Sequence, residues 1–317
     1  MSPILLTGLD GSNPLGFFAA LGLLRWLAAE AGRPHVRLSW QNLGRWRPAL
    51  HGVEDLDALL EAVAEDAGSW LERPALSLAY ESGKKKKRVY DLKPPPETFR
   101  AWLQAIRGGG QDTAFAAAYG SDGGTDNNGN IKPTALHFTA GQQVWGNMVR
   151  ELARGVTPAD LREAVMGPWS YKRDLPLPSL GWDASVSRDY ALRASDPSNE
   201  KKIGVAGADW LAFLSLPLFP VAPMRGRLET TCCGGGWKIG HLRWPIWSIP
   251  ATVDAIQLLL TQRDLEQMTP IQREIRGIAE VFTSGISRRD QGGGGSLEPA
   301  RVAERTDRVG PGGRSRR

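Results

Sequence analysis

The chain has 317 residues, 41% hydrophobic and 23% charged, a composition that supports a sizeable core and excludes a disordered or fibrous polymer. Lys and Arg outnumber Asp and Glu by 39 to 34, and this net charge of +5 suits a polyanionic partner. The two cysteines, Cys232 and Cys233, are neighbours and cannot staple a fold, so a reducing, cytoplasmic compartment is expected.

In chain order, ILLTGL at 4–9 reads as a short strand or extended entry. The helix behind it opens on Ser12 or Asn13 as cap, with Pro14 at the first helical position, and stops at Gly32 and Pro34. Its apolar run ahead of Arg25 is too short to span a bilayer, and no basic region precedes it as in an export signal, so no membrane partner is expected. The turn from Gly8 to Asn13 leaves two readings. It caps a core helix, or it offers backbone N–H groups to a phosphate against the opposing charge of Asp10.

HVRLSW then reads as a strand and VEDLDALLEAVAEDAGSWL as an amphipathic helix with an acidic first turn. ALSLAYESGKKKKRVYDLKP suggests two strands joined by a basic turn. PPPETFRAWLQAIRGGG is a helix with a proline entry and a glycine exit, and a long polar loop covers 119–134. ALHF leads into a helix predicted over 139–155, and Thr157, Pro158 and Asp160 open the next one. Residues 168–207 look irregular, and helices are expected at 207–216 and 250–262 around a strand-like aromatic stretch. EIRGIAEVFTSGISRRDQ closes a sheet. The expected class is α+β, a mixed sheet with packed helices, with residues 1–290 forming a nucleic-acid-binding domain as one unit or two lobes. Residues 291–317, rich in Gly and Arg, are expected as a disordered basic tail.

Catalytic signatures are sparse. His35, His51, His137 and His241 have no metal-ligand companion at helical spacing, and no nucleophile elbow, Walker loop or dinucleotide fingerprint occurs. No catalytic residue, metal or cofactor is therefore expected. The alternative is a magnesium-dependent nuclease built on Asp122, Asp126 and Glu151, with Asp10 as a further carboxylate.

Binding features are richer. Lys84, Lys85, Lys86, Lys87 and Arg88 at a hairpin tip supply mobile charges, either as a solvated turn or as contacts to a phosphate backbone. Gln143, Asn147, Arg150 and Arg154 recur on one face of the predicted helix, apart from the apolar stripe of Trp145, Met148 and Leu152. Such side chains make paired hydrogen bonds to base edges or phosphates, and Asn127, Asn128, Asn130 and Lys132 add donors upstream. Five of the 12 tryptophans, Trp26, Trp40, Trp46, Trp237 and Trp244, lie in Arg-rich segments and read as core packing or as stacking surfaces for bases.

Three segments, LDGSNPLGFFAALGLLR, YGSDGGTDNNGNIKPTALHFTAGQQVWGNMVREL and RGIAEVFTSGISRRDQG, resemble the large-subunit-like CRISPR-associated proteins of type I-U (I-G) Cascade effector complexes. The similarity spans residues 5 to about 290. The resemblance implies a non-catalytic subunit of an RNA-guided antiviral complex, contacting target double-stranded DNA near the flanking motif and the guide RNA backbone. Its implied partners are the other Cascade subunits and a separate helicase-nuclease recruited after target binding. Many large subunits end in a helical bundle; here the region after 250 predicts one long helix, so contacts that depend on such a bundle fall to another protein.

Overall fold

A computed structural model describes residues 2–83, 87–139, 143–173, 175–185, 204–224, 227–236, 239–288 and 295–303. Strand β1 (Ile4–Leu5) leads into helix α1 (Pro14–Ala29). Asn13 caps this helix, its Oδ1 accepting from the Leu15 N–H at 3.0 Å. The helix is buried continuously from Pro14 to Leu27, as its apolar residues on every face require, and it forms the centre of the molecule. Strands β2 (Arg37–Asn42) and β3 (Trp46–His51) form a hairpin, and β3 also pairs with β1. Helix α2 (Leu56–Ser69) is capped by Asp55 and followed by 3-10 turns at Trp70–Glu72 and Pro74–Leu76.

Strands β4 (Tyr80–Ser82) and β5 (Lys87–Val89) make a two-stranded ribbon, followed by helices α3 (Pro96–Ala105) and α4 (Gln111–Tyr119). A second ribbon joins β6 (Gly120–Thr125) to β7 (Ile131–Pro133). Helices α5 (Trp145–Gly155), α6 (Pro158–Met166) and α7 (Ala206–Leu214) follow, and a third ribbon pairs β8 (Val221–Met224) with β9 (Arg227–Thr230). The last sheet holds β10 (Cys233–Gly235), β11 (Gly240–Trp247), β12 (Ile278–Arg288), β13 (Gly295–Leu297) and β14 (Arg301–Val302), with α8 (Val253–Leu260) and α9 (Pro270–Ile275) between β11 and β12.

Two glycines set the helix packing. At Gly22 of α1 a Cβ would lie 1.7 Å from the Leu211 carbonyl of α7, and at Gly207 of α7 it would lie 2.2 Å from the Asp160 carbonyl of α6. Backbone therefore meets backbone, and aromatic rings fill the spaces around the contact. Phe17 packs against Trp40, Trp244 and Trp247, and Trp70 against Phe115, Trp210 and Phe213. Two of these indoles donate to backbone, Trp244 to the Gly11 carbonyl at 2.8 Å and Trp247 to the Leu38 carbonyl at 2.7 Å, while Trp70 donates to the Asp66 carboxylate at 3.0 Å. Trp26, Trp40 and Trp244 are core residues, Trp46 is half-buried, and Trp237 lies outside the described residues. One hydrophobic cluster runs from Leu6 to Leu297.

The class is α+β, with three corrections to the expectations. The sheets are not mixed: every pairing among the described residues is antiparallel. Pairs such as β2–β3 and β8–β9 are joined by short turns, and β11 and β12, which are connected through α8 and α9, also pair antiparallel. The tail does not begin at 291. Residues 295–303 pair with β12 through β13 and β14 and bury Leu297 and Ala303, which offsets the cost of ordering them; 291–294 and 304–317 lie outside the described residues. The helix expected from 139 begins at Trp145, with Val144 as an N-cap in extended conformation; Thr139 is buried outside any helix and 140–142 lie outside the described residues. Among the described residues no helix is long and apolar enough to cross a membrane.

Candidate nucleic-acid interface

The sequence-predicted binding residues fall on two ribbons and one helix that meet at residues 90–94. The Tyr90 carbonyl accepts from the Gly146 N–H of α5 at 2.8 Å, and the Pro94 carbonyl accepts from the Ile131 N–H of β7 at 2.9 Å. One extended segment thus ties the β4–β5 ribbon, the β6–β7 ribbon and the first turn of α5 together.

On the first ribbon, Lys87 and Arg88 are exposed, with Ser82 and Glu81 opposite them in register. Lys84, Lys85 and Lys86 lie outside the described residues. The Arg88 guanidinium stands 5.6 Å from the centroid of the half-buried Tyr90 ring. On the second ribbon, Asn127 and Asn128 are exposed and Asn130 and Lys132 half-buried. Asp126 builds this turn: its Oδ1 accepts from the N–H groups of Asn128 at 2.8 Å and Asn130 at 3.0 Å, and Gly129 supplies the left-handed step at φ +78°.

Helix α5 corrects the expected polar stripe. Gln143 precedes the helix, so it does not share a helical face with the others. Asn147, Arg150 and Arg154 do share one, but Arg150 is spent on structure. Its Nη1 donates to the carbonyls of Leu71 at 3.0 Å and Leu76 at 3.3 Å, and its guanidinium lies 4.7 Å from the Tyr90 ring centroid. Asn147 is half-buried, which leaves Arg154 as the exposed member. The opposite face buries Trp145, Met148 and Leu152 as the periodicity predicts.

Behind the ribbons sits a polar cluster that sequence reasoning missed. The buried His137 Nε2 lies 3.2 Å from Asp91 Oδ1 and 2.9 Å from Thr139 Oγ1, and the Tyr80 hydroxyl donates to Asp91 Oδ2 at 3.5 Å. Arg288 of β12 donates to the His137 carbonyl at 3.2 Å, tying the cluster to the last sheet. Burial depresses the His137 pKa below the usual imidazole range, opposed by Asp91 and reinforced by the charges of Lys93 and Arg288. For Asp91, burial pushes upward, but the bond to His137 and the Leu92 N–H win and hold its carboxyl below the usual value. We take His137 as neutral, because complete burial penalises a charged imidazole more than one carboxylate contact repays. In the sequence His137 was a lone histidine, and no local pattern links it to Asp91.

The carboxylates of the nuclease alternative are separately engaged. Asp122 pairs with Arg100 Nε at 3.1 Å, Asp126 holds its own turn, and Glu151 is exposed on α5. Asp10 accepts from the Ser12 N–H at 2.9 Å and hydroxyl at 2.8 Å. Among the described residues no three His, Cys, Asp or Glu side chains gather as a metal would require.

The two readings of the turn ahead of α1 are also resolved. Gly8 donates to the Val165 carbonyl at 2.9 Å, Gly11 to the Trp46 carbonyl at 2.8 Å, and Arg47 Nη1 donates to the Leu9 carbonyl at 2.7 Å. Asn13 Nδ2 donates to Asp183 Oδ1 at 2.8 Å, and the Tyr171 hydroxyl donates to Asp183 Oδ2 at 2.8 Å. The chain's own carboxylates, Asp10 and Asp183, occupy the surroundings of this helix start, so the turn is a structural cap. No protein-family model matches the chain, and no curated protein matches it.

Proposed function

We propose that the chain is a non-catalytic, nucleic-acid-binding subunit of a type I CRISPR (Cascade-like) RNA-guided complex, cytoplasmic, working with guide RNA, target double-stranded DNA, the other Cascade subunits and a separately recruited helicase-nuclease. The observation that carries the binding part is the convergence at residues 90–94, which ties together the two ribbons that carry the exposed Lys87 and Arg88 and the exposed Asn127 and Asn128, and the first turn of the helix that ends with the exposed Arg154. Mobile cations and amide donors in one region suit a phosphate backbone with neighbouring base edges. The three resembling segments carry the CRISPR part of the reading. The nuclease alternative has no observation in its favour, since Asp122 and Asp126 are each committed elsewhere.

The test is binding of the full chain to labelled DNA and RNA by fluorescence anisotropy across a salt series. With about four phosphate contacts, affinity should fall roughly a hundredfold between about 50 and 200 mM salt. The double variant Lys87→Glu, Arg88→Glu should weaken binding and flatten the slope. Absence of binding at low salt would overturn the proposal. Purification from the host with short RNAs of repeat-spacer form supports the CRISPR assignment, and purification without RNA or partner subunits counts against it.

A further inference from the structure

We infer that Arg88 and Tyr90, backed by Arg150, form a stacking platform for an unpaired nucleobase, so that this surface takes single-stranded nucleic acid. The inference rests on the nucleic-acid-binding reading above and names the form of nucleic acid that the site selects.

Arg88 lies in β5 and Tyr90 directly follows that strand, and the Arg88 guanidinium stands over the Tyr90 ring at 5.6 Å. The ring is firmly held. The Tyr90 carbonyl is bonded by the Gly146 N–H, and a Cβ at Gly146 would lie 2.4 Å from that carbonyl oxygen, so only glycine lets α5 press this closely. Arg150 adds a second guanidinium at 4.7 Å, fixed by the Leu71 and Leu76 carbonyls. The result is a planar cation on an immobilised ring whose outer member is free.

Other Arg–aromatic contacts in the molecule are built differently. Arg25 over Phe115 and Arg73 over Trp70 share Glu30 as ion-pair partner, and Arg288 over Phe138 is bound to backbone carbonyls. Among the described residues Arg88 is the exposed guanidinium on a ring, and it makes no ion pair there, even with Glu81 opposite it in register. A structural cation–π contact has no need to leave its guanidinium bare. A binding platform does, because the flat face must be open to a ligand.

An open flat face selects among nucleic acids. In a duplex the base faces are hidden in the stack, and only edges and phosphates are offered. An unpaired base offers its π-face to an aromatic ring or a guanidinium plane, with little regard to sequence.

The experiment compares three anisotropy probes of equal length with the full chain at one salt concentration: a single strand with bases, an abasic single strand and a duplex. The base-bearing strand should bind about tenfold more tightly than the abasic one, the scale of one stacked base. Arg88→Lys keeps the charge but loses the plane, and should reduce the base-bearing strand to the abasic level. Tyr90→Leu should do the same, and because Arg88 is exposed, Arg88→Lys remains decisive if Tyr90→Leu fails to fold. Equal binding of base-bearing and abasic strands, or a preference for duplex, overturns the platform while leaving the nucleic-acid reading standing. Binding of none of the three probes overturns both.

Discussion

Arg150 and Arg154 are four residues apart on one face of α5, and the sequence gives no reason to treat them differently. In the structure their surroundings separate them. Arg150 satisfies two carbonyls at the 3-10 turns after α2, whereas Arg154 is exposed at the end of its helix. Arg150→Met keeps most of the packing but strips charge-assisted bonds from half-buried acceptors, and should cost about 1–3 kcal/mol in urea unfolding. Arg154→Glu should leave stability within about 1 kcal/mol of the original, allowing for an unfavourable carboxylate near a helix C-terminus, yet weaken DNA binding. If Arg154→Glu binds as tightly as the parent chain, Arg154 is not part of the interface. The deciding property is what each guanidinium touches, and that depends on residues 71, 76 and 90, far from position 150 in sequence.

At the scale of elements, the crossing of α1 on α7 depends on Gly22. A methyl group there would meet the Leu211 carbonyl at 1.7 Å, and neither backbone can yield without disturbing its own helix. Gly22→Ala, which would stabilise an isolated helix, should here destabilise the protein by about 3 kcal/mol or more, seen as a lowered thermal midpoint and urea midpoint. Helices with strong local signals were legible in sequence: α1 by its cap and proline, and α6 by the Thr157–Asp160 capping box that the structure reproduces. Elements fixed by distant contacts were not. GSDGGT has poor strand propensity and reads as loop, yet it becomes β6, with Gly123 and Gly124 lying under Pro223 and Leu228 of the third ribbon. Pro48 hides β3, although the strand forms because Leu6 donates to the Pro48 carbonyl and Pro48 needs no donor of its own. The candidate site follows the same rule. The basic run and the Asn-rich turn are visible as composition, whereas their meeting at residues 90–94 and the commitment of Arg150 are products of tertiary structure.

For the molecule as a whole, three histidines on separate sheets or connections share one electrostatic condition. His51 sits on the first sheet against Ser39 at 2.9 Å, His137 joins the ribbons to Asp91, and His241 lies on the last sheet. Burial is the largest cause of a lowered pKa in each, helped by Arg37 at His51 and by Arg243 at His241. A folded-state pKa below the unfolded value means that the unfolded chain binds more protons as pH falls through about 6.5. Stability should therefore be full above pH 7 and decline as pH drops toward 5.5, at no more than about 1.4 kcal/mol per pH unit for each histidine. Asp91, whose pKa is also lowered, acts with the same sign but in a more acidic window, below its unfolded value of 3.8, so the two contributions separate on the pH axis. His137 should contribute most, because it is the fully enclosed one, while solvent screens the half-buried His51 and His241. Urea unfolding at pH 8, 7, 6 and 5.5 should show this decline, and His137→Gln, which keeps a polar partner for Asp91 without a titrating group, should remove the largest share of it. A chain that becomes more stable between pH 7 and 5.5 would mean instead that the Asp91 carboxylate outweighs burial and that His137 is charged in the folded protein.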